Sequence, residues 1–321
     1  MTAAAPRRPP PASCPAVPMR KALLLANPVS GRARHGLIRA RCIEAMRGQG
    51  LDVELLETAG PDQIARQVAE HQGADFDLLV AAGGDGTIRE VAETASRLDI
   101  PFGIIPLGTS NSVARELGVP ARPEDAARAV AAGVPRAVDM AEAAGRRFML
   151  CLGAGFDAAV VAAVHASRRG GIHVASYVPA VLSATVNYRF PGIEVVIDGV
   201  PAPPGAVQVV IGNTRVWGGW MVLSRDARID DGLLDVMLFY GGRASLAGQG
   251  MRAFLKRPLA VRRDRFSGNG AIICQAREVL IPGPPSVPVE MDGDPGPPLP
   301  LAVRVLPKAV RAIVPRERAD G

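Results

Sequence analysis

The sequence predicts an α/β domain built on a doubly wound parallel sheet, followed by an all-β, sandwich-like domain, with a cleft between the two. Up to about residue 135, short apolar runs alternate with stretches of helical periodicity, and glycine-bearing turns follow three of these runs. Beyond that point, short strands separated by turns predominate. A chain of 321 residues can bury two cores of ordinary size. We therefore expect domains at residues 19–135 and 136–300, with residues 301–321 returning towards the N-terminal domain.

The N-terminal domain is predicted to alternate strand and helix, a pattern that packs helices on both faces of a parallel sheet. Ligands of such sheets bind beyond the carboxyl ends of the strands. The predicted strands are Ala22–Ala26, Val53–Glu57, Phe76–Ala82 and Phe102–Pro106. The predicted helices are Ala33–Arg47, Asp62–His71, Thr87–Leu98 and Asn111–Leu117.

The C-terminal domain is predicted to be a mainly antiparallel sheet or sandwich that helical insertions interrupt, because its apolar runs are short and bounded by turn residues. The predicted strands are Ala137–Ala143, Arg147–Leu152, Gly192–Asp198, Ala206–Gly212, Leu233–Phe239, Ala271–Cys274 and Glu278–Ile281. The predicted helices are Ala158–Arg168, Ser176–Tyr188 and Ala244–Leu255.

The composition excludes several classes of protein. Residues 1–18 are rich in alanine and proline and lack the apolar run of a secretory signal, so we expect a disordered tail, with Met1 and Met19 as alternative starts. No stretch approaches the ~18 uninterrupted apolar residues of a bilayer span. The four cysteines form no CxxC pair, and the four histidines show no metal-ligand spacing. We expect a cytoplasmic protein without zinc.

The net charge of +6 is concentrated in two places, the basic segment Arg243–Arg265 and the region Lys308–Arg318. Such clusters favour anionic partners, and the head groups of anionic lipids fit as well as nucleic acid does. No helix-turn-helix, zinc finger or aromatic stacking motif accompanies the charge, so we do not expect nucleic acid. The alternative is an ordinary solvated face.

The run Gly83-Gly84-Asp85-Gly86-Thr87 stands where a strand should end and a helix should begin. Glycines allow the backbone to approach a ligand closely, and the free amides of a helix start attract phosphate. A carboxylate at this point suggests magnesium or an orienting hydrogen bond. The alternative is a plain strand-to-helix turn in which Asp85 caps the helix.

Two further loops with residues that could bind phosphate follow the first and fourth strands. Asn27–Gly31 precedes the basic residues Arg32 and Arg34, and Gly108–Asn111 offers the hydroxyl of Thr109 to a phosphate oxygen. Asn111 alone would also fit a helix cap. Because the carboxyl ends of parallel strands share one edge, we expect the three loops to lie together.

These motifs in order resemble the bacterial diacylglycerol kinase-like lipid kinases, whose catalytic domain also occurs in sphingosine and ceramide kinases. The resemblance begins with NPVSG at Asn27–Gly31, GGDGTIREV at Gly83–Val91 and IPLGTSNSVARELGVP at Ile105–Pro120. It continues through Gly153–Ala158, Gly218–Gly219, Asp226–Asp235 and Met291–Asp294. It implies that ATP, magnesium and substrate meet in the cleft. The ATP contacts that it implies are Asn27, Pro28, Val29, Ser30, Gly31, Thr58, Gly83, Gly84, Asp85, Gly86, Thr87, Ile88, Arg89 and Thr109.

The resemblance also implies a structural magnesium in the β-rich domain. Its ligands would be the carboxylate of Asp231 and the backbone carbonyls of Arg228 and Leu233. These are the hard oxygen ligands that magnesium prefers. An ordinary hairpin turn at Asp230-Asp231-Gly232 is the alternative.

The catalytic residues that the resemblance implies are Asp294, Asp292 and Asp85. Phosphoryl transfer to an alcohol needs a carboxylate that accepts the hydroxyl proton. The family usually has Asp-Gly-Glu where this chain has Asp292-Gly293-Asp294, with the glutamate as base, so the carboxylate here is one methylene shorter. Asp292 could share the role. Ser112 stands where many members have Asp, which weakens any role of that position in holding magnesium.

The resemblance predicts a lipid kinase that works at the cytoplasmic membrane surface, with a lipid substrate, peripheral contact with anionic lipid, and a homodimer through the β-rich domain. The apolar helices within Ala158–Tyr188 are candidates for the membrane contact, or simply packed helices. One alternative is a kinase of a soluble substrate, since NAD kinases share the Gly-Gly-Asp-Gly loop. The other is a sensor that binds nucleotide or lipid without turnover.

Overall fold

The computed structural model describes residues 21–27, 34–58, 60, 63–71, 76–166, 174–217, 221–222, 224, 226–242, 261–262 and 270–318. Several predictions fall outside these residues: the tail at 1–18, the loop residues Pro28, Val29, Ser30 and Gly31, the helix Ala244–Leu255, and most of the basic segment Arg243–Arg265. The fold and the site are described below from the remaining residues.

The helices of the described residues are α1 (Arg34–Arg47), α2 (Ile64–Glu70), α3 (Asp85–Leu98), α4 (Ser112–Glu116), α5 (Pro123–Ala132), α6 (Phe156–Ala166) and α7 (Val174–Asn187), with a 3-10 turn at Arg316–Arg318. None of these helices is both long and apolar enough to cross a bilayer.

By position along the chain, the strands form one group before α6 and one group after α7. The first contains β1 (Lys21–Ala26), β2 (Asp52–Glu57), β3 (Leu78–Gly83), β4 (Phe102–Pro106), β5 (Val134–Ala143), β6 (Arg146–Phe148) and β7 (Cys151–Gly155). The second contains β8 (Val196–Ile197), β9 (Val200–Pro201), β10 (Ala206–Gly212), β11 (Val216–Trp217), β12 (Met221–Val222), β13 (Leu234–Tyr240), β14 (Val261–Arg262), β15 (Gly270–Ala276), β16 (Glu278–Ile281), β17 (Val289–Met291), β18 (Asp294–Pro295) and β19 (Leu301–Val314).

The N-terminal sheet is parallel in the order β2-β1-β3-β4 and carries helices on both faces. Successive residues of β1 point to opposite sides, as a strand requires. Leu23 and Leu25 pack in one core with Ile64 of α2, whereas Leu24 packs in another with Met46 of α1. The doubly wound sheet that the sequence predicts is confirmed.

The second layer is a seven-stranded, mainly antiparallel sheet in the order β14-β15-β13-β10-β7-β17-β18. Its inner face, which includes Val209 and Val236, shares one buried core with Val279 of β16 and Val303 of β19 in the other sheet. Two sheets packed across a common core form a β sandwich, so the predicted class of the second domain is confirmed as well. Helices α6 and α7 are inserted between β7 and β8.

The long strand β19 joins the two parts of the molecule. It pairs antiparallel with β16 near its start and with β5 through most of its length, and Ala312 near its end pairs parallel with Phe102 of β4. The ten-stranded sheet therefore runs without interruption from the N-terminal domain into the sandwich.

Three local features differ from the sequence prediction. The expected strand Arg147–Leu152 is divided into β6 and β7, because the backbone amides between them turn towards the carboxylate of Asp292. Only Val196–Ile197 of the expected strand Gly192–Asp198 is a strand. Helix α5 is additional, and its start carries proline and two acidic residues, which favour a helix N-terminus.

Candidate active site

The residues with which the expected phosphate loops begin lie at one edge of the parallel sheet. Thr58 donates its N–H to the carbonyl of Ala26 at 2.8 Å, and Leu107 donates to the carbonyl of Gly83 at 2.9 Å. Ala26 ends β1 and Gly83 ends β3. The sheet order β2-β1-β3-β4 therefore brings Asn27, Thr58, Gly84 and Gly108 to neighbouring positions.

The two glycine loops that follow β3 and β4 touch each other through their backbones. A Cβ atom placed on Gly108 would lie 2.5 Å from Cα of Gly84, which no side chain tolerates without movement. A Cβ on Gly83 would lie 2.5 Å from Oγ1 of Thr87. Glycine is required at Gly83 and Gly108 by this close approach.

Asp85 connects the two loops. It is the first residue of α3, and its Oδ1 atom accepts the N–H of Ser112, the first residue of α4, at 2.7 Å. Burial raises the pKa of Asp85, and hydrogen bonds from the backbone at Ser112, Val113 and Asn111 act in the opposite direction. Asp85 thus caps the helix that follows the neighbouring loop.

The side chain of Asn111 does not cap α4, contrary to the sequence-based alternative for this residue. It bonds back to Gly108, whose N–H donates to Oδ1 at 3.1 Å and whose carbonyl accepts from Nδ2 at 2.8 Å. Asn111 adopts a left-handed backbone with a φ of 47°, a conformation that asparagine tolerates better than most residues. This ring of bonds leaves Thr109 exposed at the tip of the loop.

The other expected ATP contacts differ in their exposure to solvent. Gly86 is exposed, whereas Thr58, Thr87 and Ile88 are buried. The side chain of Arg89 is only 4% exposed, and its guanidinium lies 3.7 Å from Oε2 of Glu93. The side chains of Ile88 and Arg89 therefore face protein rather than open solvent.

The expected catalytic segment is the tight turn between β17 and β18. Asp292 has a φ of 52° and Gly293 a φ of 86°, and Met291 pairs with Asp294 across them. Two consecutive positive φ angles define a type I′ hairpin turn, for which Asp-Gly is a preferred sequence. The turn presents Asp294, whose side chain is 40% exposed, on β18.

The carboxylate of Asp292 accepts hydrogen bonds from three backbone amides. Its two oxygens accept the N–H groups of Met149, Leu150 and Cys151 at 3.1, 2.9 and 3.0 Å. Burial raises the pKa of Asp292 to about 6, and these hydrogen bonds together with the charge of Arg89 oppose the rise. Because the charge of Arg89 acts on Asp292, the acidic turn lies near the part of α3 that is one turn beyond Asp85.

Two residues that the sequence analysis did not identify hold the same turn. Buried Glu290 accepts the N–H of Gly293 at 2.8 Å, and burial together with the charge of Asp157 raises its pKa well above the usual value. His165 of α6 places its Nε2 atom 3.1 Å from the carbonyl oxygen of Gly293 and 3.6 Å from Oδ1 of Asp294. Neither residue lies in a recognisable motif.

The expected magnesium loop lies in the sandwich, beside β13. Asp231 is exposed, and its Oδ1 atom accepts the N–H of Leu233 at 3.0 Å. Burial raises the pKa values of Asp139 and Asp235, and the negative charge of Asp231 raises both further. Burial also acts to raise the pKa of Asp230, but the ion pairs with Arg136 at 2.6 Å and Arg228 at 3.4 Å lower it below its usual value.

This loop is rich in negative charge, but its described residues do not by themselves form a cluster of ligating side chains. Three carboxylates, those of Asp139, Asp231 and Asp235, lie near one another, and the nearby arginines pair with Asp230 instead. Within the described ranges, no group of three or more histidine, cysteine or carboxylate side chains could hold a metal ion. A magnesium ion would therefore depend on the backbone carbonyls of Arg228 and Leu233 as well as on Asp231.

The chain thus combines a doubly wound sheet, with glycine loops at its carboxyl edge, and a β sandwich that carries an acidic hairpin turn. One strand joins the two parts. The family model described as "Diacylglycerol kinase catalytic domain" matches residues 21–143, and "YegS C-terminal NAD kinase beta sandwich-like domain" matches residues 151–314. The chain belongs to this diacylglycerol kinase and YegS-like family.

Individual relatives agree with this assignment. The chain is 27% identical over 310 residues to a "Diacylglycerol kinase" of Mycobacterium tuberculosis (strain CDC 1551 / Oshkosh), which covers 92% of this chain and 96% of the relative. It is 31% identical to a "Probable lipid kinase YegS-like" of Pseudomonas fluorescens, in an alignment that covers 68% of this chain and 73% of the relative. A crystal structure of a diacylglycerol kinase from Bacillus anthracis has the same fold, with a TM-score of 0.69 at 21% identity, over 93% of this chain and 98% of the other.

Proposed function

We propose that this protein is an ATP-dependent lipid kinase, which transfers the γ-phosphoryl group of ATP to a hydroxyl group of a lipid. The acceptor belongs to the class of diacylglycerols or sphingoid-like alcohols, and the reaction takes place at the cytoplasmic surface of a membrane. Family membership supports kinase chemistry on a lipid, and it favours this function over a kinase of a soluble substrate.

One observation carries the proposal: α3 links the two halves of the candidate site. Its first residue, Asp85, bonds to the loop after β4, and Arg89 one turn later influences the carboxylate of Asp292. A helix rises about 5.4 Å per turn. Helix α3 is therefore next to both the backbone amides that would bind phosphate and the acidic turn that would accept a proton, which supports one common site.

Asp294 is the better general base of the two acidic residues in the turn. A general base needs a carboxylate oxygen within hydrogen-bond reach of the substrate hydroxyl. The oxygens of Asp292 are already occupied by the amides of Met149, Leu150 and Cys151, whereas Asp294 is partly exposed. We assign proton acceptance to Asp294 and maintenance of the turn to Asp292.

Magnesium would have two sites of action. Asp231 and the carbonyls of Arg228 and Leu233 would hold the structural ion, which offsets the charge of the neighbouring carboxylates. Magnesium bound with ATP supplies positive charge that stabilises the transferred phosphoryl group. The chain contributes the amides of Gly84, Gly86 and Thr109 to orient the phosphates, and half-buried Asp85 to keep those loops in register.

The test is phosphorylation of lipid by the purified full chain, with radiolabelled ATP, magnesium and vesicles that contain a total lipid extract. We expect a labelled lipid with the wild-type protein and at least a hundredfold less with Asp294→Asn. Asp99→Asn is the matched control, because Asp99 is an exposed left-handed residue at the end of α3, far along the helix from the loops. Absence of labelled lipid over a broad panel of acceptors contradicts the proposal, and tight ATP binding without turnover supports a sensor instead.

A further inference from the structure

The imidazole of His165 lies at the base of the turn that carries Asp294. His165 is on the last turn of α6, the helix that follows β7, and its side chain is 20% exposed. Its Nε2 atom lies 3.1 Å from the carbonyl oxygen of Gly293 and 3.6 Å from Oδ1 of Asp294. The first distance is that of a hydrogen bond, and the second is a close contact that is too long for a hydrogen bond.

The geometry fixes which atom carries the proton. A carbonyl oxygen only accepts, so Nε2 of His165 must donate its N–H to Gly293. On the other side of the same residue, the N–H of Gly293 donates to Oε2 of Glu290 at 2.8 Å. Gly293 is thus held through both its N–H and its carbonyl group, immediately before the residue assigned as the base.

We propose that His165 is a positioning residue for the Asp294 carboxylate. This inference rests on the proposed function, because it gives His165 a part in the same reaction. An aspartate is one methylene shorter than a glutamate, so the place of its oxygens depends closely on the backbone that carries it. A hydrogen bond from His165 to the preceding carbonyl fixes that backbone, and the donor edge of the ring beside Oδ1 keeps the carboxyl group in one orientation.

The kinetic test compares His165→Ala with His165→Gln in the lipid phosphorylation assay. Alanine removes the donor, and a displacement of the carboxylate by about 1 Å costs on the order of a hundredfold in rate. We expect kcat to fall ~10–100-fold in His165→Ala, with little change in KM for ATP. Glutamine offers an N–H donor at a similar distance, so we expect His165→Gln to recover much of the rate.

Val164→Ala is the matched control, because Val164 is the buried neighbour of His165 and packs in the core between α6 and α7. It should lower stability without the kcat effect of His165→Ala. Equal kcat in wild type and His165→Ala, or an equal loss in Val164→Ala, overturns the inference.

A second measurement separates this inference from the proposed function. The ring signals of the histidines in NMR spectra of the full chain report the contact without any turnover. Asp294→Asn should shift the signals of His165 and leave those of His71, which lies at the end of α2, in place. If the wild type phosphorylates no lipid, the proposed function fails while this shift still supports the contact; unmoved His165 signals overturn the inference whatever the activity.

Discussion

Gly108→Ala tests whether the contact between the two glycine loops organises the site. The added Cβ would lie 2.5 Å from Cα of Gly84 and 2.9 Å from Oδ1 of Asn111. Carbon atoms in ordinary contact are about 3.5–4.0 Å apart. The loops must therefore separate by about 1 Å, because a backbone atom cannot rotate away as a flexible side chain can.

The expected cost has two parts. Overpacking of this size lowers the free energy of unfolding by about 1–3 kcal/mol. A 1 Å displacement of the phosphate-binding amides lowers kcat/KM for ATP on the order of a hundredfold. The assays are denaturant unfolding and the lipid phosphorylation reaction at varied ATP.

Two alanine substitutions provide matched controls for Gly108→Ala. A Cβ on Gly84 would meet Gly108 at 3.5 Å, an ordinary contact, so Gly84→Ala should cost less stability. Gly36 is exposed in α1 with nothing within 4 Å of its Cβ position, and alanine there should raise stability by roughly 0.5–1 kcal/mol. Wild-type stability and activity in Gly108→Ala, or an equal loss of stability in Gly84→Ala, would refute the reasoning.

Three further predictions concern charged groups. Asp85→Asn should change the unfolding free energy by less than about 1.5 kcal/mol, since asparagine retains an acceptor for Ser112. It should nevertheless abolish turnover, because it removes the negative charge on which the catalytic role implied by the family resemblance depends, and normal labelling of lipid would contradict that role. The pKa of Asp292 is about 6 in the folded state and about 3.9 in the unfolded state. Between these pH values the folded protein keeps the proton while the unfolded chain releases it, so the free energy of unfolding falls as the pH rises through this range. Urea titrations from pH 4 to pH 7 should show the wild type losing up to about 3 kcal/mol relative to Asp292→Asn, and a constant difference would contradict the burial of this carboxylate. Magnesium at 100 times its Kd should stabilise the wild type by about 2.7 kcal/mol and the Asp231→Ala variant by much less. Equal effects of added magnesium on both proteins would show that Asp231 does not bind the ion.

The parallel sheet and the glycine loops could be predicted because their signals are local. The apolar run before Gly83 marks a strand, and glycines at its end mark the turn, all within about ten residues of sequence. The same holds for Phe102–Pro106, whose predicted bounds match β4. The start of α5 carries an equally local signal in Pro123, Glu124 and Asp125.

The contacts that organise the acidic turn could not be predicted in this way, because their partners are distant in sequence. Asp292 binds amides about 140 residues earlier in the chain, and His165 lies 128 residues before Gly293. Nothing in the composition near Asp292 distinguishes a carboxylate that binds three amides from one that accepts a proton. Only the packing of α6, β7 and β17 makes that distinction.

The strand β19 contains a bulge where the two parts of the molecule join. Its register against β5 shifts between Leu306 and Val310, and Lys308 there has a φ of 53° and donates its N–H to Asp139. A bulge of this kind increases the local twist of a sheet. Main-chain hydrogen bonds of β19 join strands of the sandwich to strands of the parallel sheet, so both parts of the molecule depend on one C-terminal strand. A fragment that ends before residue 301 would leave β4 and β5 without their shared neighbour.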